Sequence, residues 1–322
     1  MRVLMRAVGL IGLLLWPVVS FGQGFPDRPI HFIVPFPAGG PSDIISRVLT
    51  TKMSSLLGQP VVVENRAGAG GLTGIAYVAR SHPDGYTVAI APSSGLAMNV
   101  TLRDDMPFQP LKDLALLTQI VSVPEILVVN EQVPAKSLAE LVALAKSQPG
   151  KLTFASTGLG GMPHLAMELL ELTAGIELVH APYSGAAPAV TDLLGGHVQL
   201  MFADIPVLLG AIQSGKVRAL AIGSKTRAES VSSVPTTAEL GMPQVEADNW
   251  YGLVAPAATP RPVLDRLSAV AIAALHSDEV KDKLAAQGVI AVGNPSAEFA
   301  AYVAHEIERW GALIQAKGLK IK

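Results

Sequence analysis

Hydrophobic positions in the first third of the chain follow two alternating rhythms. Ile30-His-Phe-Ile-Val34 is a short apolar, β-branched run of the kind that fills a buried strand, and Ile44, Ile45, Val48, Leu49 and Met53 then recur at helical spacing. Gly58 suits a left-handed helix end, and Val61-Val-Val-Glu64 reads as a second strand, which makes a parallel strand-helix-strand unit. A helix is expected over Ile75 to Arg80, a turn at His82-Pro-Asp-Gly85, and a strand over Tyr86-Thr-Val-Ala-Ile-Ala91. From Thr118 to Asn130 the pattern is strand-like with Pro124 as an interruption, and a first crossing between two lobes is expected there.

The same alternation resumes further on. Ser137 and Glu140 form a capping box that starts a helix ending at Pro149-Gly150. Leu152-Thr-Phe-Ala155 leads to a helix with Leu165, Leu169 and Leu172 on its apolar face, Glu177 to Pro182 to one with Val190, Leu193 and Leu194, and Val198 to Ala203 to one over Val207 to Ile212. Val217 to Ile222 gives another strand, Ser224 to Ser233 a solvated segment, and Asp248 to Ala255 a return strand. From Arg261 to Leu319 the chain is mostly amphipathic helix, with Leu264, Leu267, Val270 and Ala274 as one packing stripe and Phe299, Val303, Ile307 and Trp310 as another.

Two strand-to-helix joins carry candidate chemistry. In Val34-Pro-Phe-Pro-Ala-Gly-Gly-Pro-Ser-Asp43, Gly39 and Gly40 permit unusual backbone angles, Pro41 suits a helix entrance, and Ser42 or Asp43 can cap it. Ser156-Thr-Gly-Leu-Gly-Gly161 followed by Met162-Pro163-His164 repeats the design. Helix starts with bare N–H groups attract anions, so one cradle in each half suggests a ligand held between lobes. The plainer alternative is a pair of tight turns of the kind any α/β protein has.

With 322 residues, 50% hydrophobic and 16% charged, the chain can build one large or two ordinary cores. A formal net charge of −2 with 5% aromatics argues against a nucleic-acid partner. Arg2 and Arg6, the apolar stretch Ala7 to Val19, and Ser20-Phe21-Gly22 read as an export signal cleaved near Gly22, so residues 1–22 are expected to be removed and an exported protein follows. Cysteine is absent, which excludes a disulfide framework, thiol catalysis and a lipidated cysteine anchor.

Asn65-Arg-Ala-Gly-Ala-Gly-Gly-Leu-Thr-Gly74 resembles a dinucleotide loop, but its third glycine arrives one residue late and no acid suited to a ribose follows, so no cofactor is expected. Ala91-Pro-Ser93-Ser94-Gly95 is a small-residue version of a nucleophile elbow. A serine hydrolase would need a base and an acid, for which Asp204 with His276 or His305 are candidates; otherwise Ser93 and Ser94 offer hydroxyls to a ligand or cap a helix. Asp204, ending a strand, stands where open α/β sheets keep their ligands, or it caps the next helix.

Taken together, the ordered motifs at 34–43, Val-Glu-Asn-Arg-Ala-Gly-Ala-Gly-Gly (63–71), Pro-Asp-Gly-Tyr-Thr (83–87), His-Leu-Ala-Met-Glu-Leu (164–169), Leu-Leu-Gly-Gly-His-Val-Gln-Leu-Met-Phe-Ala-Asp (193–204), Val-Pro-Thr (234–236) and Trp-Tyr-Gly-Leu-Val-Ala-Pro (250–256) resemble the Bug family, periplasmic solute-binding proteins of tripartite tricarboxylate transporters. The resemblance spans nearly all of the mature chain. It implies a two-lobe α/β Venus-flytrap fold of the type II-like periplasmic-binding-protein kind, with the chain crossing the hinge twice. One lobe would comprise 23–124 with 249–322, its C-terminal helices packing on it, and the other 125–248. A small carboxylate or amino-acid ligand would sit in the cleft of a monomer that hands it to a membrane permease or sensor, with no metal and no catalytic residues.

Carried over by motif, the first-lobe contacts would be Phe36, Pro37, Ala38, Gly39, Gly40, Ser42 and Asp43, with Ser93 and Ser94 nearby. The second-lobe contacts would be Ser156, Thr157, Gly158, His164, Tyr183, Ser184, Gly185 and Asp204. Neither cradle contains Arg or Lys, so backbone amides must attract the anionic oxygens, with His164 as the side chain placed either to tune that field or to stand neutral behind it. Asp204 would repel an anion and should accept from a ligand donor or act through water. Many relatives carry Lys or Arg where this chain has Ser184, which disfavours a tricarboxylate such as citrate and favours a mono- or dicarboxylate, an amino acid or an aromatic acid such as nicotinate. A ligand-free signalling or scaffold module is the remaining alternative.

Overall fold

The computed structural model describes residues 24–321; the expected export signal lies outside the described residues. The strand expected over Ile30–Val34 (β1) has those bounds, and α1 (Pro41–Leu57) ends on Gly58 at φ 68°, a backbone angle that glycine reaches without penalty. β2 (Val61–Asn65) and β3 (Thr87–Pro92), with α2 (Leu72–Ala79) between them, lie parallel to β1 on its two sides. Two short helices, α3 (Asn99–Leu102) and α4 (Pro110–Asp113), lead into β4 (Leu114–Asn130).

β4 runs through both lobes. Its first half pairs antiparallel with β9 (Asp248–Pro256) as far as Pro124 opposite Asp248, and the very next residue, Glu125, stands opposite Asp204 of β7 (Leu200–Asp204). Pro124 was expected from sequence to interrupt the strand, and it does not. It lies at the change of partner, where a residue lacking an N–H removes least from either ladder. The second sheet continues from β7 to β5 (Thr153–Ser156) and β6 (Val179–Pro182), all parallel, and β8 (Val217–Ile222) lines the other edge of β4.

Helices cover both faces of each sheet, which is why the strands read as apolar runs. In the first lobe α1, α9 (Arg261–Leu275) and α10 (Asp278–Ala285) bury Ile45, Leu49, Leu267, Val270 and Val280 against one face. On the other face α2 and the first half of α11 (Ser296–Ala316) bury Ile75, Phe299 and Val303. Gly252 of β9 makes the latter possible, because a Cβ there would stand 2.1 Å from Phe299 Cζ. In the second lobe α5 (Leu138–Ser147) and α6 (Met162–Ala174) cover one face, and α7 (Ala186–Leu194) and α8 (Ile205–Gln213) the other. The far end of α11 reaches across, so that Trp310, Leu313 and Ile314 join the core containing Leu165 and Phe202.

Three local expectations differ from the structure. Leu172 is 51% exposed, because the buried stripe of α6 follows Leu165, Ala166, Leu170 and Ala174. The segment 224–233 is partly buried, with Ser224, Ala228 and Val231 inside. The helical tail contains a short strand, β10 (Ile290–Ala291), paired with β4.

Candidate functional site

Register brings the two expected cradles toward one another. Parallel to β1, β3 ends at Pro92 opposite Tyr251, which stands opposite Val121 of β4. From the other lobe β7 ends at Asp204 opposite Glu125, with β5 parallel beside it. The C-terminal edges of the two parallel strand sets thus arrive at points about 13 Å apart along β4, at the change of partner. All the loops that carry predicted site residues issue from these edges.

Four helices start here with no side chain capping them: α1 at Gly40, α6 at Gly161, α7 at Gly185 and α8 at Asp204. Elsewhere α5 is capped by Ser137, whose Oγ accepts from Glu140 N–H at 3.2 Å, while α9, α10 and α11 also start without a side-chain cap. The alternative that Asp204 caps α8 is thereby removed. Uncapped first-turn amides and the positive end of a helix dipole are what an anionic oxygen needs.

In the first cradle Pro37, Ala38 and Gly39 are exposed and Ser42 is buried. Asp43 is engaged by its own loop and helix. Its Oδ2 accepts from Gly39 N–H (3.0 Å) and Arg47 Nε (2.9 Å), and its Oδ1 from Arg47 and Asn65 (3.0 Å each), so it braces the loop from within. Burial raises its pKa, but these donors outweigh burial and hold it at about 2. Asn65 also donates to Phe36 O (3.0 Å), and Gly71, at φ 97°, lets the 65–74 segment close on the Phe36 ring, where a Cβ would stand 3.2 Å from Cζ. Of the glycines that resemble a dinucleotide loop, Gly74 lies tight against Pro35, where a Cβ would stand 2.9 Å from Pro35 Cβ.

In the second cradle Ser156 is fully buried, with its Oγ 2.6 Å from His180 Nε2 and accepting from Gly158 N–H at 3.3 Å. Thr157 and Gly158 are half-buried, and Tyr183 N–H donates to Ser156 O at 3.0 Å, which joins the β5 and β6 loops. The His180 ring stacks against those of Phe154 (4.7 Å) and His164 (4.2 Å), and burial followed by the nearby His164 pushes its pKa down to about 4. His164, 5% exposed, is engaged on both nitrogens: Nδ1 accepts from Gly160 N–H at 3.2 Å and Nε2 faces Glu168 at 3.4 Å. Glu168 in turn pairs with Lys317 at 2.9 Å, so the end of α11 steadies this cradle. Tyr183 donates to Asp192 (2.6 Å), Ser184 is exposed, and Gly185 is half-buried at the start of α7.

A polar network joins the lobes where the strands cross. Ser93 Oγ donates to Asn249 Oδ1 (2.8 Å), and Asn249 Nδ2 donates to Asp204 Oδ1 (3.0 Å) and Oδ2 (3.3 Å). Asn249 Nδ2 also lies 3.4 Å from Tyr251 Oη, and Glu125 stands opposite Asp204 in the β4–β7 register. Burial raises the pKa of Asp204 to about 6 against the Asn249 donor. Burial, followed by the Asp204 charge, drives that of fully buried Glu125 far above the carboxylate range. Glu125 is thus held as a neutral acid opposite Asp204, with no hydrogen-bond partner for either carboxyl oxygen. Glu125, Asn249, Tyr251 and His180 were not anticipated as site residues; a Glu inside the apolar run Ile120 to Val129 was the available signal.

Ser94, half-buried, offers its carbonyl to Asn99 Nδ2 at 2.9 Å. The histidines considered for a hydrolase lie in other settings: His276 contacts Val292 O at 3.0 Å and the His305 side chain is 70% exposed. Among the described residues no cluster of three metal-ligating side chains occurs, and no helix is long and apolar enough to cross a membrane. A concavity of about 860 Å³ on the first lobe, lined by Arg28, His31, Tyr77, Arg80 and Arg103 among others, contains none of the predicted site residues.

Residues 45–319 match the family model described as tripartite tricarboxylate transporter family receptor. The chain is 41% identical over 299 residues to Protein BugT of Bordetella pertussis, covering 92% of each chain. Among solved structures, an R. palustris protein with adipate superposes with TM-score 0.86 at 32% identity, covering 92% of this chain and 99% of that one. MatC from Rhodopseudomonas palustris with bound malate gives TM-score 0.82 at 32% identity, covering 90% and 100%.

Proposed function

Because the chain belongs to the tripartite tricarboxylate transporter family of receptors, we propose that it captures a small carboxylate between its lobes and presents the closed, loaded form to a membrane permease or sensor. One observation carries this reading: uncapped helix starts from both lobes face the point where β4 passes from one sheet to the other and β9 begins. Relatives solved with adipate and malate support the same ligand class. Loop amides, with no Lys or Arg in either cradle, would hold the anionic oxygens, and closure would exclude the water that otherwise competes.

The lobes are taken as 23–124 with 249–322 and as 125–248, in keeping with the change of partner after Pro124. The mature protein would be a periplasmic monomer cleaved near Gly22. The same Ser184 that leaves the cleft edge uncharged favours mono- and dicarboxylates, amino acids or aromatic acids over citrate. A hydrolase reading gains no support from Ser93, whose proton goes to an amide rather than to an imidazole.

A thermal-shift screen over small carboxylic acids and amino acids tests the proposal. A ligand present at 100 times its Kd should stabilise the folded state by about 2.7 kcal/mol and raise the melting temperature by several degrees. No shift with any acid would overturn the receptor reading, and citrate binding more tightly than the smaller acids would overturn the inference from Ser184.

A further inference from the structure

Hydrogen-bond direction in the crossing network says what kind of group can meet it. A carboxylate only accepts, so the Asn249 atom 3.0 and 3.3 Å from the two Asp204 oxygens must be the amide nitrogen. The amide oxygen then faces Ser93, and the hydroxyl at 2.8 Å must donate to it. One side chain, Asn249, donates to Asp204, and Glu125 stands directly opposite it across the β4–β7 ladder. Two carboxylate oxygens accept about four hydrogen bonds, so acceptor positions stay open. Ser93, having given up its proton, likewise has only lone pairs left to offer.

These residues end the strands from which the cradles spring. Ser93 directly follows β3 and Asp204 closes β7, at 0% and 8% exposure. The cradles on either side supply N–H donors, whereas this floor supplies acceptors, and no Lys or Arg bonds to Asp204 to reverse its sign. A second ligand carboxylate set here would meet an anion in a dry site, while an O–H or N–H would find an unfilled acceptor.

Resting on the receptor reading above, we propose that the cleft selects carboxylates that also carry a hydrogen-bond donor near the acid group, that is hydroxy- or amino-carboxylates, and that Asp204 is the residue that selects them, held in orientation by Asn249. Discrimination of this kind is strong when a buried polar group is left unpaired by the wrong ligand.

Isothermal titration of matched pairs tests it: lactate against propionate, malate and aspartate against succinate, and mandelate against phenylacetate. The donor-bearing member of whichever pair fits the cleft should bind at least about tenfold more tightly. In Asp204→Asn, where an amide can turn its N–H outward, the ratio should fall below about threefold, with the plain acid gaining affinity. Equal binding of donor-bearing and plain acids by the unmodified protein would overturn the selection while leaving the receptor reading intact, and this arm needs no variant to fold. Absence of binding by every acid would overturn the receptor reading and the selection with it.

Discussion

Asp43→Asn separates a residue that braces the first cradle from one that touches ligand. The wild-type carboxylate is nearly inaccessible, 4% exposed, and accepts from Gly39, Arg47 and Asn65, which hold its pKa at about 2 against an ordinary value of 3.8. A shift of that size corresponds to roughly 2–2.5 kcal/mol. Because Arg47 is 56% exposed, solvent screening reduces the expected contribution to about 1–2 kcal/mol. The folded-state pKa is depressed, so the stabilisation is present above pH 3.8 and is lost as pH falls through 2. Scanning calorimetry of the variant at pH 7 should therefore show a melting temperature lower by about 2–6 °C, with the gap narrowing toward pH 3. Ligand affinity should fall as well, because Gly39 and the exposed 37–39 segment lose their brace. An unchanged melting temperature at pH 7, or a gap as wide at pH 3 as at pH 7, would refute the reasoning.

Glu125→Gln should stabilise the protein at pH 7–8, since a raised carboxyl pKa means that stability declines as pH rises above the unfolded value. Urea unfolding from pH 5 to 8 would read this as a flatter stability profile in the variant, and parallel profiles would count against a neutral Glu125. Gly71→Ala, which forces a Cβ to 3.2 Å from Phe36 at φ 97°, should cost about 1–3 kcal/mol and weaken ligand binding, as measured by thermal melting and titration. Lys317→Met leaves Glu168 and Glu171 without their shared cation and should lower stability by about 1–2 kcal/mol at pH 7, with faster amide exchange at the start of α6 as a second readout.

Local rules recovered much of the fold from sequence. The bounds of β1, the left-handed Gly58 and the Ser137 cap depend on residues within a few positions, and each is found where short-range chemistry puts it. Pro124 was misread because a proline breaks one ladder, whereas β4 changes ladders there. Leu172 belongs to the edge of an apolar stripe, and periodicity alone does not say how far the covering layer extends. The roles of Asp43 and His164 depend on Asn65 and, through Glu168, on Lys317, distant residues that sequence spacing does not reveal. Asn249 escaped notice for the same reason, since its partners Ser93 and Asp204 come from other strands.

A crystal structure of the complex with the tightest-binding acid tests the central claim most directly. The account predicts the ligand carboxylate within hydrogen-bond distance of backbone N–H groups from 36–43 or 156–161, with the remainder of the molecule touching the opposite lobe. A ligand bound by one lobe alone, or in the concavity lined by Arg28 and Arg80, would contradict it.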